Sequence, residues 1–224
     1  MKTITIIAAT NTRINEHAIA IDRTAKNVPH QVSQLLFSPE QPTVPFSGEW
    51  QRNLAWMPNG HWTIQDYSRF ILWGLADFIK SDICIIVQWD GYGVNPDRWT
   101  DEFLEYDYIG APWPVALTKG LCRVGNGGFS LRSKRWLDAG KAIASSYNGE
   151  AEDVFCCQKY VKHYLDCGCQ LAPIDLALQF SIEHSLPDYR GWSASQSFGF
   201  HSWFNAEREK YRIQLDHHPQ IRMD

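Results

Sequence analysis

Residues 84–96 read Cys-Ile-Ile-Val-Gln-Trp-Asp-Gly-Tyr-Gly-Val-Asn-Pro. The apolar run Ile83–Val87 stops at Gln88-Trp89-Asp90 and gives way to a loop seeded with Gly91, Gly93 and Pro96. A short apolar run bounded by turn residues is the pattern of a strand buried on both faces. Ligands of open α/β sheets bind in the crevice outside the carboxyl ends of the strands. The stretch therefore predicts a strand that delivers one carboxylate, Asp90, and one amide, Gln88, into a crevice. A hard carboxylate oxygen suits Mg²⁺ or Mn²⁺, ions able to carry a diphosphate. The same aspartate also fits a plain turn cap.

Upstream, Thr3–Ala9 is a β-branched run, and Ile14, Ala18, Ile21 and Ala25 then recur at helical spacing. Val32–Phe37 predicts a second strand, so the chain opens β-α-β, with parallel pairing and a right-handed crossover. Residues 39–60 hold four prolines and two glycines and predict a long loop. Thr63 predicts a helix cap, with Asp66 completing a variant of the capping box, and Ile64, Tyr67, Ile71, Leu75 and Phe78 form its apolar stripe. Downstream, a short helix is expected over Trp99–Leu104, a strand over Tyr106–Ala111 and a stiff turn at Pro112-Trp113-Pro114. Another strand at Phe129–Leu131 leads into a helix over Lys134–Ser145, and Glu152–Leu165 reads as helical. Alternating strands and helices predict an α/β fold with a mostly parallel central sheet flanked by helices.

The composition narrows the class of function. The 224 residues are 44% hydrophobic and 21% charged, ordinary for a globular protein, and a net charge of −4 leaves no basic stripe for nucleic acid. Ten Trp and nine Tyr are many for this length. Trp56, Trp62, Trp89, Trp113, Trp192 and Trp203 stand beside Gly, Pro or charged residues, where they fit either sugar-stacking faces or loop anchors on the core. The six cysteines are not spaced as paired zinc ligands, and Cys84 reads as a small buried hydrophobe. Met1–Thr10 makes a poor signal peptide, and no run approaches the roughly 18 apolar residues of a membrane span. A reduced, cytoplasmic protein is expected, peripheral to a membrane if its acceptor is lipid-linked. The tail from Asp216 to Asp224 reads as a fraying end.

Four further signals carry chemistry. Gly125-Asn126-Gly127-Gly128 places three glycines within four residues just before a strand, which lets backbone approach a ligand closely. It is neither a P-loop nor a dinucleotide fingerprint, and a bulge explains it equally well. Glu152-Asp153 opens a helix, where carboxylates serve as caps or as a fixed general base. His201 stands in an aromatic-glycine context, where a structural role is the ordinary one. Arg69, on the helix preceding the Asp90 strand, fits a salt bridge, or a contact with Asp90 or phosphate.

Taken together, these residues resemble glycosyltransferases of the GT-A fold. More closely, the segments QWDGY, EFLEYDYIGAPW, VGNGGFSLRS, EDVF and FGFH look like a small domain family of unknown function usually interpreted as GT-A-like. The resemblance runs from about Thr63 to Trp203. It implies one GT-A-like domain over residues 1–224, with a nucleotide-sugar-binding half at 1–96 and an acceptor and catalytic half at 97–215.

Carried across residue by residue, Asp90 matches the last acid of the Asp-x-Asp motif and His201 the late histidine, together binding Mn²⁺ or Mg²⁺. Gln88 departs from the pattern by replacing the first acid. Asp153 matches the base of inverting enzymes, with Glu152 beside it orienting or capping. Thr10, Asn11, Arg13, Arg69, Gln88, Trp89, Gly127 and Gly128 line the donor site. The implied ligands are a nucleotide-sugar, UDP-sugar favoured, and a glycan or glycoconjugate acceptor. A retaining transferase, a nucleotidyltransferase and a non-catalytic glycan- or nucleotide-binding module are the competing readings.

Overall fold

The computed structural model describes residues 1–52, 62–118 and 122–202; Trp56, Trp203 and the Asp216–Asp224 tail lie outside these. Strand β1 (Ile4–Ala9), helix α1 (Ile14–Asn27) and strand β2 (Val32–Phe37) form the expected β-α-β opening. A short strand β3 (Glu49–Gln51) interrupts what reads in sequence as continuous loop. Helix α2 (Ile64–Arg69) runs into a π-helical turn at Phe70–Gly74 and then β4 (Ile83–Ile86). Next come β5 (Gly91–Gly93), a 3₁₀ turn at Asp101–Glu105, β6 (Tyr108–Gly110) and α3 (Val115–Thr118). Strand β7 (Ser130–Ser133) leads directly into α4 (Lys134–Ala142). The chain continues through α5 (Glu152–Val154), α6 (Val161–Asp166), α7 (Ile174–Phe180), β8 (Ser181–Ile182) and β9 (Gly199–His201).

The main sheet has the order β3-β2-β1-β4-β7-β6. Its first four strands are parallel, and β7 runs antiparallel to both of its neighbours. Alternation sorts the strand residues onto two buried faces. Ile4, Ile6, Ala8, Ile83, Ile85 and Val87 join one core, whereas Ile7, Ala9, Cys84 and Ile86 join the other. Each of the isoleucine and valine side chains contributes about 1.5–3 kcal/mol when fully buried. This explains why the β4 run is apolar without alternating.

Two expectations at the α2 cap resolve differently. Thr63 accepts from the Asp66 amide while Asp66 accepts from the Thr63 amide, which completes the capping box. Ile64, placed on the apolar stripe, is instead exposed at the first position of the helix. The helix expected over Glu152–Leu165 is also broken. A π-helical turn at Phe155–Lys159 and a non-helical Tyr160 separate α5 from α6.

The reversed direction of β7 decides where the glycine loop lies. Ser130, its first residue, pairs with Ile86, the last residue of β4, and also with Gly110, the last of β6. The segments after β1, β4 and β6 therefore meet the segment before β7 at one edge of the sheet. A second, three-stranded sheet, β5-β9-β8, sits beyond that edge and pairs Gly91 with His201.

Candidate functional site

Gln88 and Gly91 exchange both backbone hydrogen bonds, at 2.8 and 3.0 Å. Trp89 and Asp90 are thereby pushed out at the tip of a tight turn between β4 and β5. The ladder with β9 then fixes His201 opposite Gly91, and the Ser202 amide donates to the Asp90 carbonyl at 2.9 Å. Ser202 adopts the left-handed conformation, with φ of 71°. The imidazole Nε2 of His201 lies 3.9 Å from Asp90 Oδ1 and 3.2 Å from Gln88 Oε1. Burial raises the proton affinity of Asp90, and the neighbouring His201 partly offsets this.

The separation of Asp90 and His201 suits one small cation. Ligands about 2.1 Å from a shared octahedral ion stand at most about 4.2 Å apart. Among the described residues no group of three or more His, Cys, Asp and Glu is arranged to hold a metal. A two-ligand set is what Mg²⁺-type sites use when phosphates and water complete the shell.

The glycine loop lies against this pair. A Cβ added to Gly128 would fall 2.0 Å from His201 Nε2, and one added to Gly127 would fall 2.0 Å from Glu152 Oε1. Close approach, not unusual backbone torsion, requires glycine at both positions. Beneath the loop, Arg132 on β7 is fully buried and holds Glu152 through two bonds of 2.8 Å. The Arg132 Nε also donates to Ser130 Oγ, which in turn donates to the Gly127 carbonyl. Glu152 is thus committed to Arg132 and makes no cap bond at the start of α5.

Asp153 has different partners. It accepts from the Gly127 amide at 3.0 Å and from the Val154 amide at 2.7 Å. Burial, reinforced by the Glu152 charge, raises its pKa to about 6 despite these donors. A carboxylate with that affinity is matched to accepting a proton near neutral pH.

Around this centre the remaining expected residues occupy varied positions. Thr10 donates to the Thr12 carbonyl at 2.5 Å and Asn11 to the Trp62 carbonyl at 3.2 Å, shaping the turn after β1. Arg13 takes the left-handed conformation, φ 51°, and stacks its guanidinium on the Trp89 ring at 4.1 Å. Arg69 pairs with Asp66 at 3.4 Å, and its guanidinium lies 5.6 Å from the Tyr147 ring. Trp62 and Trp113 are buried and serve as loop anchors.

Several site residues escaped the sequence reading. Glu183, just after β8, contacts His201 Nδ1 at 3.3 Å, His184 Nε2 at 3.2 Å and Asn126 Nδ2 at 2.7 Å. Burial works against its charge, yet hydrogen bonds from His184 and His201 hold its pKa at about 2. Tyr67 meets the Gln88 amide at 3.2 Å. The spacing of Tyr67 on its helix was visible, but Glu183 lies in an irregular stretch with no periodic signal.

The arrangement can be set beside known proteins. A glycosyltransferase involved in glycosylation of the major capsid of PBCV-1 superposes with a TM-score of 0.54 at 13% identity, covering 94% of this chain and 98% of that one. The galactosyltransferase LgtC, in complex with donor and acceptor sugar analogs, gives a TM-score of 0.48 at 11% identity, covering 88% and 86%. The first of these likenesses carries the fold, which is the GT-A-like architecture expected from the sequence motifs. No curated protein matches the chain. The family described as "Protein of unknown function (DUF5672)" matches residues 57–201, a span that contains Asp90, the glycine loop, Asp153 and His201. With more than half of its length matched and a GT-A-like fold of its own, the chain belongs to DUF5672.

Proposed function

We propose that the chain is an inverting glycosyltransferase that moves a sugar from a nucleoside-diphosphate sugar, UDP-sugar favoured, to a hydroxyl of a glycan or glycoconjugate. One observation carries this reading: Asp153, with its raised proton affinity, and the Asp90–His201 pair flank consecutive glycines of one loop. The 1–96 half presents the donor residues Thr10, Asn11, Arg13, Gln88, Trp89 and Asp90, and the 97–215 half presents the base.

In the proposed step the acceptor hydroxyl gives its proton to Asp153 as its oxygen bonds to the anomeric carbon. The bond from that carbon to the diphosphate oxygen breaks, and the nucleoside diphosphate leaves. Asp90 and His201 would hold Mn²⁺ or Mg²⁺, which when bound supplies Lewis-acid stabilisation of the leaving diphosphate. Glu152, fixed by Arg132, holds the start of α5 so that Asp153 faces the loop. Attack from the Asp153 side inverts the anomeric configuration, and base assistance of this type contributes about 10²–10⁴-fold.

Gln88 supports a second reading, a nucleotide- or glycan-binding module, because its neutral amide stands where an acid would strengthen the cation site and is held by Tyr67 and His201. A thermal-shift screen against UDP, GDP, CDP, dTDP and their sugars, with and without Mn²⁺, tests both. Ligand at about 100 times its Kd stabilises by about 2.7 kcal/mol. Stabilisation that needs Mn²⁺ and disappears in Asp90→Ala, together with donor hydrolysis or transfer, supports the enzyme. Stabilisation without any turnover supports a nucleotide-binding module, and no response to any nucleotide removes the enzyme reading and leaves the glycan-binding module as the better one.

A further inference from the structure

The neutral imidazole of His201 carries one N–H, and two acceptors compete for it. Glu183 Oε1 lies 3.3 Å from Nδ1, and Gln88 Oε1 lies 3.2 Å from Nε2. Hydrogen bonds to a carboxylate are about twice as strong as those to a neutral amide, so the proton belongs on Nδ1. Nε2 is then left with its lone pair, and it is the ring atom nearer Asp90, 3.9 Å from Oδ1. Which end of a glutamine amide is oxygen follows from the hydrogen-bond network. With the Gln88 amide turned end for end, its N–H faces Nε2 and its oxygen accepts from the Tyr67 hydroxyl, so no group loses a partner.

Glu183 itself is not free to become a ligand. One of its oxygens is held by His201, and the other takes Asn126 Nδ2 at 2.7 Å and His184 Nε2 at 3.2 Å. Asn126 in turn accepts the Gly128 amide at 3.1 Å. The same side chain therefore keys the glycine loop to the carboxylate that holds the histidine. Gly128 approaches the ring so closely that the imidazole has little room to rotate.

We infer that Glu183 is a positioning residue: it binds the Nδ1–H of His201, turns the Nε2 lone pair toward Asp90, and through Asn126 sets the glycine loop against the same ring. The inference rests on the cation reading proposed above, and supporting carboxylates of this kind typically alter metal affinity by 10–100-fold.

The orientation can be read without metal or nucleotide. Long-range ¹H–¹⁵N spectra of the metal-free protein at about pH 8, above the ordinary histidine range, report which ring nitrogen of His201 is protonated, with His201→Gln providing the assignment. The expected result is Nδ1–H in the wild type and a shift of the proton to Nε2 in Glu183→Ala. Nε2–H in the wild type, or no change in the variant, overturns the inference. Glu183→Gln serves if the alanine variant does not fold: a neutral amide then faces each ring nitrogen, so the Nδ1–H fraction should fall below that of the wild type, and an unchanged spectrum counts against the role of the carboxylate.

Mn²⁺ titration followed by electron paramagnetic resonance in the presence of UDP is the second arm. Binding in the wild type that weakens 10–100-fold in Glu183→Ala, and less than tenfold in Glu183→Gln, is expected. Undiminished affinity in Glu183→Ala sinks the positioning role while leaving the transferase reading intact. A wild type that binds no Mn²⁺ yet shows the expected proton shift removes the cation from the proposed function and leaves the orientation of the ring standing.

Discussion

Asp153 and Glu152 are neighbours with opposite fates, and the difference is a matter of partners. Glu152 has a buried guanidinium to itself, whereas Asp153 has two backbone amides and a nearby negative charge. The raised pKa of Asp153 means that the folded state binds its proton more tightly than the unfolded chain. Stability is therefore undiminished below about pH 3.8 and falls as pH rises to about 6, by a total on the order of 2–3 kcal/mol. Asp153→Asn, which keeps an oxygen for the Gly127 amide, should melt higher than the wild type at pH 8, with the gap closing toward pH 4. A gap that stays constant across that range would show that Asp153 does not titrate as described. Transfer should behave in the opposite sense, rising about tenfold per pH unit up to about 6 and then levelling; a flat profile from pH 5 to 8 removes Asp153 as the base. Asp153 was legible as a candidate because an acidic pair before a helix is a local pattern. Glu183 was not, because its role exists only once β8 and β9 are paired.

At the scale of elements, the buried Arg132–Glu152 pair joins β7 to α5 beneath the glycine loop. Removing one partner leaves the other charge buried and unpaired, which costs about 3–5 kcal/mol. Urea unfolding of Arg132→Met and Glu152→Leu should each show a loss of that size, and the double variant should recover a large part of it. A loss in the double variant equal to the sum of the two single losses would mean that the side chains act independently, through packing alone. Strands β1, β2 and β4 were readable because they are apolar, β-branched and flanked by turn residues. The small sheet was not, since β5 and β9 are Gly-containing pieces of three residues with no period to detect. The break at Tyr160 was equally hidden: local spacing favours one helix, and the packing of Phe155 against Tyr147 and Tyr160 overrides it. The glycine loop was visible as a loop, but its place in the site follows from the antiparallel direction of β7, which no single segment encodes.

Across the whole molecule, function is expected at one edge of the main sheet. A separate cavity of about 580 Å³ opens near the other ends of the strands, lined by Thr3, Ser33, Glu49 and Lys80 among others. Hydrogen exchange with Mn²⁺ and the stabilising nucleotide should slow amides at 10–13, 88–93, 126–128 and 199–202 while leaving Thr3, Ser33 and Lys80 unchanged. Protection confined to the second group would move the ligand to the opposite edge. Among the described residues no helix is long and apolar enough to cross a membrane. The pairing of β5 with β9 has a temporal meaning as well as a spatial one. Gln88 and His201 meet across 113 positions of chain, so a nascent polypeptide exposes Asp90 long before its histidine partner has been made. Closing so distant a contact is among the slower steps of folding, and the meeting of Gln88 with His201 therefore arrives late, after the sheet that carries it has had time to form.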